Sequence, residues 1–456
     1  MSQPYGRSAC RSNRRGMTLA AAALMPALLV AIVTPVRAQG DPPLPRLGED
    51  KHLGVATCAG STCHGAGEPV AGSNVMQNEF LIWHRRDPHS KAYSVLRSDR
   101  SQRIAERLGL GPATEADTCL DCHADNVPEE RRGRRFQLSD GVGCEACHGG
   151  AEGWIRSHTS DEVSHADNVA NGLYPTDRPV ERTRLCLSCH YSHPESPMTH
   201  RIMAAGHPSL LFETDTFSLI RPSHHRVDAD YRRRKTAATP AETWAIGQAV
   251  AARTRVRQVR DDVARGGLFP ELYYFDCQSC HHALGDDTWV SRPIVAQPPG
   301  TVRFADATFR MLGYVLAEVE PELAPEWMEA LKGLHRSQGQ GVAAVERAAE
   351  ELLAVARRAQ QRLAGTDLGP EAVKGIARRI AADGAARGYA DRGWADQAAM
   401  ALAALVDSLS GRGALEGEAR QRAEAELDKL FEALASPYGH APQKVRASMK
   451  AIEPAF

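Results

Sequence analysis

Ten cysteines of the chain fall into five pairs, and histidine follows each pair at once: Cys119-Leu120-Asp121-Cys122-His123, Cys144-Glu145-Ala146-Cys147-His148, Cys186-Leu187-Ser188-Cys189-His190, Cys277-Gln278-Ser279-Cys280-His281, and a longer Cys58-Ala59-Gly60-Ser61-Thr62-Cys63-His64. Two thiols three positions apart share one helical turn, where both can bond to the vinyl groups of a single haem. The adjoining imidazole then reaches the iron from one face. The spacing predicts five covalently attached haem c groups, held by Cys58, Cys63, Cys119, Cys122, Cys144, Cys147, Cys186, Cys189, Cys277 and Cys280. His64, His123, His148, His190 and His281 become the proximal iron ligands. In the first motif two extra residues must bulge between the thioether positions. A disulfide framework would leave the histidine after every second cysteine unexplained, and zinc sites built on such pairs place histidine at variable spacing.

An iron that only passes electrons needs a ligand on each face. Thirteen histidines lie outside the motifs, and eleven of them fall in or beside the motif-bearing segment: His52, His84, His89, His158, His165, His193, His200, His207, His224, His225 and His282. That density exceeds what a core or a surface requires. A second imidazole gives a saturated low-spin site that changes charge with little rearrangement. His282 adjoins a proximal histidine and cannot turn back to the same iron, while His335 and His440 are expected at the surface.

Trp83 through His89-Ser90-Lys91-Ala92, and Gly141 to Gly149 with His158 ten positions beyond His148, resemble the multihaem cytochrome c-554 family. That family is related to the haem cores of hydroxylamine oxidoreductase and cytochrome c nitrite reductase. The resemblance covers roughly residues 55 to 285 and implies His89 and His158 as distal ligands. Ala205-Gly206-His207-Pro208 and Pro222-Ser223-His224 resemble further histidine positions of related five-haem proteins, and His200, seven positions before His207, completes five distal candidates. Two departures stand out. The family's tetrahaem carrier has no counterpart of the fifth motif or of the tail beyond it. The nitrite reductases replace one proximal histidine with lysine, whereas all five motifs here end in histidine. A hydroxylamine-oxidising site would use a tyrosine cross-linked to haem from a neighbouring chain, and no tyrosine is identified for that role.

The elements that must position these residues read as helices. Alternating apolar and polar runs of useful length are missing, so the expected fold class is mainly α: a loop-rich multihaem cytochrome c domain over residues 58–290, followed by a C-terminal helical bundle over 291–456. Helical patterns cover Gln77 to Leu96, interrupted at Pro88, then Ser101 to Leu108, ended by Gly109, and Thr243 to Arg265, introduced by Thr239-Pro240. In the tail they cover Val342 to Leu363, Glu371 to Ala382, Gly393 to Leu409 and Glu416 to Ala435, with breaks at Gly365, Gly384 and Gly411. The proximal histidines are separated by 59, 25, 42 and 91 positions, too irregular for a solenoid. The short step makes the second and third haems expected neighbours.

Arg7, Arg11, Arg14 and Arg15 precede an apolar run from Met17 to about Val33, which reads as an export signal over residues 1–38 cleaved after Ala38. An uncleaved membrane anchor is the rival reading, opposed by Pro26 and the shortness of the run. An extended, proline-rich leader, 39–57, follows. Cleavage removes five arginines and no acids, leaving 50 basic and 56 acidic residues, a net charge of −6. Arg85-Arg86, Arg131 to Arg135 and Arg232 to Lys235 are natural counter-ions for haem propionates or a solvated basic face. Acids interrupt them and aromatics do not interleave, which excludes a nucleic-acid partner. The expectation is a periplasmic electron carrier serving redox partner proteins, with a membrane quinol-linked complex among the candidates and the oligomeric state open. The alternative is an oxidoreductase with one open-site haem acting on a small nitrogen or sulfur compound.

Overall fold

Prolines and N-capping side chains set where helices start. The long helix Pro240–Arg265 begins at a reciprocal pair, Thr239 N–H to Glu242 Oε2 at 2.8 Å and Glu242 N–H to Thr239 Oγ1 at 3.3 Å, two donors that the first turn would otherwise leave unmet. Ser98 caps Asp99–Leu108, and Gly109, with φ 73°, closes it. Pro88 acts as expected: Glu79–Arg86 stops at Asp87, whose carboxylate accepts the His89 N–H of a short 3-10 turn, Pro88–Lys91.

The computed structural model describes residues 41–194, 196–265, 271–281, 302–387, 392–435 and 441–456. The expected export signal, the boundary near residue 290, His282 and His440 lie outside these. Among the described residues helix accounts for 63%, in 19 α-helices and eight short 3-10 turns, and no strand forms, so the fold is mainly α. No helix among them is long and apolar enough to cross a membrane.

From Val55 to His190 the α-helices are short, and four of the five motifs lie on or end one: Val55–Cys58, Asp117–His123, Cys144–His148 and Pro179–His190. Pro240–Arg265 is different. It buries Trp244, Ala249, Val250, Val256, Val259 and Val263, more of its circumference than an amphipathic surface helix would. It packs on Val342–Leu363, Arg392–Gly411 and Ala307–Val319 of the tail, and on Pro179–His190 and Thr214–Ile220 of the motif region. One apolar core therefore runs from Leu187 to Phe456. Gln248 Nε2 donates to Gln397 Oε1 at 3.1 Å, and Gln397 Nε2 donates to the Phe212 carbonyl at 3.0 Å, a buried polar link across the same junction. Residues 41–456 form one compact unit.

The tail contains the four expected helices and three more, Ala307–Val319, Ala324–Ser337 and Pro442–Ile452. Gly384 does not break its helix, which continues to Arg387. A Cβ there would lie 2.6 Å from Met449 Cγ, so the missing side chain serves close helix packing. His335 is buried rather than at the surface, with Nε2 at 3.2 Å from Asp306 Oδ2. A buried imidazole needs a polar partner, and Asp306 supplies it.

Candidate haem-binding sites

The first motif absorbs its two extra residues in a turn. Cys63 N–H donates to the Gly60 carbonyl at 2.9 Å and His64 N–H to the Cys58 carbonyl at 3.2 Å, so the histidine stays folded against the first cysteine. Gly65 is required there, because a Cβ would lie 2.1 Å from the Ala59 carbonyl oxygen. In the third motif Gly141, with φ 77°, lets the chain pass beside the His89 carbonyl, to which Val142 N–H donates at 3.1 Å. Trp83 Nε1 also donates to the Val142 carbonyl, at 3.0 Å. Glu145, buried inside this motif, accepts from Leu53 N–H and Gly54 N–H, each at 2.7 Å, and from Ala151 N–H at 2.8 Å. It thereby ties the first motif to the third.

Among the described residues, five ring pairs each join one motif histidine to one histidine outside the motifs. His64 faces His158 with centroids 6.3 Å apart, His89 faces His190 at 6.0 Å, and His123 faces His207 at 6.4 Å. His148 faces His224 at 6.2 Å and His200 faces His281 at 6.2 Å. Two imidazoles sharing one metal, each nitrogen about 2 Å from it and each ring centre roughly 1 Å behind its nitrogen, have centres about 6 Å apart. All five expected distal candidates, His89, His158, His200, His207 and His224, are thus brought to a motif histidine, each to a different one. Their chain order is not that of the motifs. Two pairs are near-parallel, at 17° and 28°, and three are near-perpendicular, at 88°, 78° and 87°.

The second ring nitrogens carry further information. A metal-binding histidine normally donates its other N–H to a carboxylate or carbonyl, which fixes the tautomer. Nδ1 of His64 meets Glu79 Oε2 at 2.9 Å, that of His89 meets Asp87 Oδ1 at 2.8 Å, and that of His123 meets the Ala92 carbonyl at 3.1 Å. His158 and His207 place Nδ1 against the Ile155 and Pro208 carbonyls at 2.7 and 2.8 Å. His224 differs, since its Nδ1 lies 2.8 Å from the Arg221 guanidinium. Desolvation pushes His148 down to about 3 and both His190 and His224 to about 4, which keeps these rings neutral. The Glu79 hydrogen bond holds His64 above its ordinary value.

The cysteines belong to neighbouring sites. Cys58 lies beside Cys144 and Cys122 beside Cys189, while Cys147 lies near Cys186 and Cys189. All ten described cysteines are free of disulfides.

Among the described residues, the remaining histidines form no ring pair with a motif histidine. His52 is fully buried, with Nδ1 2.8 Å from Asp125 Oδ2 and Nε2 unpartnered. His165 meets Asp177 at 3.0 Å, Nδ1 of His193 meets Arg46 at 3.1 Å, His225 stacks on Tyr231 and His84 on Phe80. Within the arginine clusters Arg131 donates to the Arg46 carbonyl at 2.9 Å, Arg132 to the Val127 carbonyl at 2.8 Å, and Arg233 pairs with Asp230 at 2.8 Å. Sequence reasoning missed Glu79, Asp87 and Arg221 as partners of Nδ1. Asp87 and Arg221 lie two and three residues before their histidines and could have been suspected from that, whereas Glu79, fifteen positions from His64, meets its histidine only through the fold.

Cysteine pairs, each followed by a histidine that a second histidine matches at metal-bridging distance, fit covalent haem; this is the donor set of a c-type cytochrome. Residues 57–149 match the family model for cytochrome c554 and c-prime, which supports a c-type cytochrome with an electron-carrying role. The match spans the first three motifs and His89. No curated protein and no solved structure matches the chain.

Proposed function

We propose that the chain is an exported, periplasmic five-haem cytochrome that passes electrons between redox proteins, a quinol-linked membrane complex being one candidate partner. The observation that carries this reading is the five-fold pairing of a motif histidine with a second histidine, at 6.0 to 6.4 Å in every case. Each cysteine pair would hold one haem covalently. The ligand pairs would be His64 with His158, His123 with His207, His148 with His224, His190 with His89, and His281 with His200. Bound haems supply one-electron chemistry at closely spaced centres, and the protein's part is to fix their spacing, exclude water and tune their potentials.

Contacts between cysteines support an order of sites. Cys58 with Cys144 makes the first and third neighbours, Cys147 with Cys186 and Cys189 joins the third to the fourth, and Cys189 with Cys122 joins the fourth to the second. His200 and His207 flank one short helix, His200–Ala204, which links the fifth site to the second. Asp125 N–H, two residues past the second motif, also donates to the Gly141 carbonyl just before the third at 2.9 Å, so these two motifs adjoin as the short step between them suggests. The test is a haem count on purified protein by alkaline pyridine spectroscopy, with Cys→Ser pairs made motif by motif. Five haems per chain, falling by one for each motif removed, are expected; a lower count in the wild type sinks the reading.

A further inference from the structure

We propose that Arg255 is a permanent positive charge, built beside the fourth motif with no carboxylate to neutralise it, that raises the reduction potential of the haem held by Cys186, Cys189 and His190. The proposal rests on the five-haem reading and names the residue that sets one of its sites in the electron path.

Arg255 is buried in the long helix Pro240–Arg265, and three tyrosine rings enclose its guanidinium. The ring centres of Tyr191, Tyr273 and Tyr274 lie 4.2, 4.5 and 5.5 Å from Cζ. Nε donates to the Tyr191 hydroxyl at 3.2 Å, and Nη1 is buried without a hydrogen-bond partner. Aromatic faces attract a cation but leave its charge in place, and arginine does not give up its proton. Burial pushes the Tyr273 and Tyr274 hydroxyls up, so neither becomes a phenolate that could cancel the charge.

The carboxylates in the vicinity serve other partners. Asp262, two turns further along the helix, pairs with Arg265 at 2.9 Å. Glu271 accepts from the His200 and Tyr273 N–H groups at 2.8 and 3.1 Å. Among the described residues Arg255 forms no salt bridge. A cation taken out of water without a counter-charge is costly, and an apolar side chain would fill the same space at less cost.

The cage is tied to the fourth motif. Tyr191 follows His190 directly, and its carbonyl accepts from the Tyr273 hydroxyl at 2.7 Å. Ser192 comes next, with φ 124°, a backbone conformation that persists in a residue with a Cβ only where its surroundings hold it. Gln258, one turn past Arg255, donates from Nε2 to the Ser192 carbonyl at 2.8 Å, and Ser192 Oγ accepts from Met198 N–H at 3.0 Å. Arg255 and Gln258 therefore clamp the two residues that leave the fourth motif, and the cation stands over the ring next to the ligand.

Ferric haem carries one more positive charge than ferrous haem, so a fixed cation nearby disfavours the ferric state and raises the potential. Asp87, which orients His89 on the other face of this site, works in the opposite direction, and Arg255 shifts that balance towards reduction. Through its cysteines the fourth site adjoins both the third and the second. The shift makes this junction the place where an electron rests.

The experiment is a redox titration of the intact holoprotein by NMR of the haem methyl signals at about pH 6, where lysine keeps its proton. The fourth haem is assigned by replacing Cys186 and Cys189. In Arg255→Met, with five haems retained, the ferric-to-ferrous ratio of the fourth iron at fixed potential should rise roughly threefold or more, a downward shift of about 30 mV. Arg255→Lys should restore the wild-type midpoint. Gln258→Glu sets a carboxylate one turn from the cation and should lower the midpoint as the methionine variant does; it decides the matter if that variant loses haem. Three results overturn the proposal and leave the five-haem reading intact: an unchanged fourth midpoint in the deciding variant, an equal shift at all five sites, or a lysine variant that matches methionine. A wild-type protein without the haem at Cys186 and Cys189 overturns both.

Discussion

Single side chains act on three of the paired histidines through the second ring nitrogen: Glu79 on His64, Asp87 on His89 and Arg221 on His224. Glu79 accepts from Nδ1 of His64 at 2.9 Å and also from Met76 and Gln77 N–H, so its carboxylate makes the imidazole more electron-rich. An electron-rich ligand favours ferric iron and lowers the potential. Glu79→Gln keeps an acceptor but removes the charge, and the midpoint of the first site should rise by roughly 30 mV, half a decade for a one-electron couple. Spectroelectrochemical titration measures it, and an unchanged or lower midpoint would refute the assignment. His52 gives a pH effect. Burial alone lowers its pKa, but the hydrogen bond and charge of Asp125 more than offset this, so the folded value is raised. Such a group contributes stability that is fully present below about 6.5 and is lost as pH rises through the folded value. Chemical denaturation between about pH 6 and about pH 9 should show this decline, and His52→Gln should flatten it. If the variant keeps the wild-type slope, His52 is not its source.

At the scale of elements, glycine and proline do different work in the two parts of the chain. Around the motifs they shape turns that keep histidine against cysteine, and Gly65 is the sharpest case. A methyl group at that position meets the backbone oxygen of Ala59, which cannot move aside as a side chain can. Gly65→Ala should therefore drop the haem count by one, with the loss confined to the first motif by peptide mapping; full occupancy would show that the turn tolerates a Cβ. In the tail, Gly384 is legible in sequence as a stop and acts instead as a contact. Gly384→Ala improves helix propensity by about 1 kcal/mol. Overpacking against Met449 opposes that gain, with a typical cost of about 1–3 kcal/mol. The expected net result is destabilisation by about 1 kcal/mol, measured by denaturant unfolding, and a stabilised variant would mean that Met449 repacks freely.

Across the whole molecule, Pro240–Arg265 is the element through which the motif region and the tail share one core. Trp244, Ala249 and Val256 are completely buried there, against partners in Val342–Leu363 and Arg392–Gly411. A chain ending before residue 302 would expose that apolar face to water, and burying an exposed side chain of the size of valine or larger is worth about 1.5–3 kcal/mol. The truncated protein is expected to aggregate or lose its haems. A soluble monomer with five haems and unchanged spectra would show that the tail is dispensable for folding and free for partner binding.

The sequence by itself determined the covalent chemistry: the cysteine pairs and proximal histidines are local patterns, fixed by helical spacing, and no fold is needed to read them. It also marked five distal candidates and most helices, because periodicity, Pro88, Gly109 and Thr239 act within a few residues. It could not assign His224 to His148 or His200 to His281, since those partners are 76 and 81 positions apart and meet only when loops close. For the same reason it missed buried His335 and the packing role of Gly384. Three residues separate Arg221 from His224, so their contact could be suspected, but not that Nδ1 there meets a donor. A sequence shows which residues are near, but hydrogen-bond direction depends on how the backbone turns their side chains, and that is decided in three dimensions.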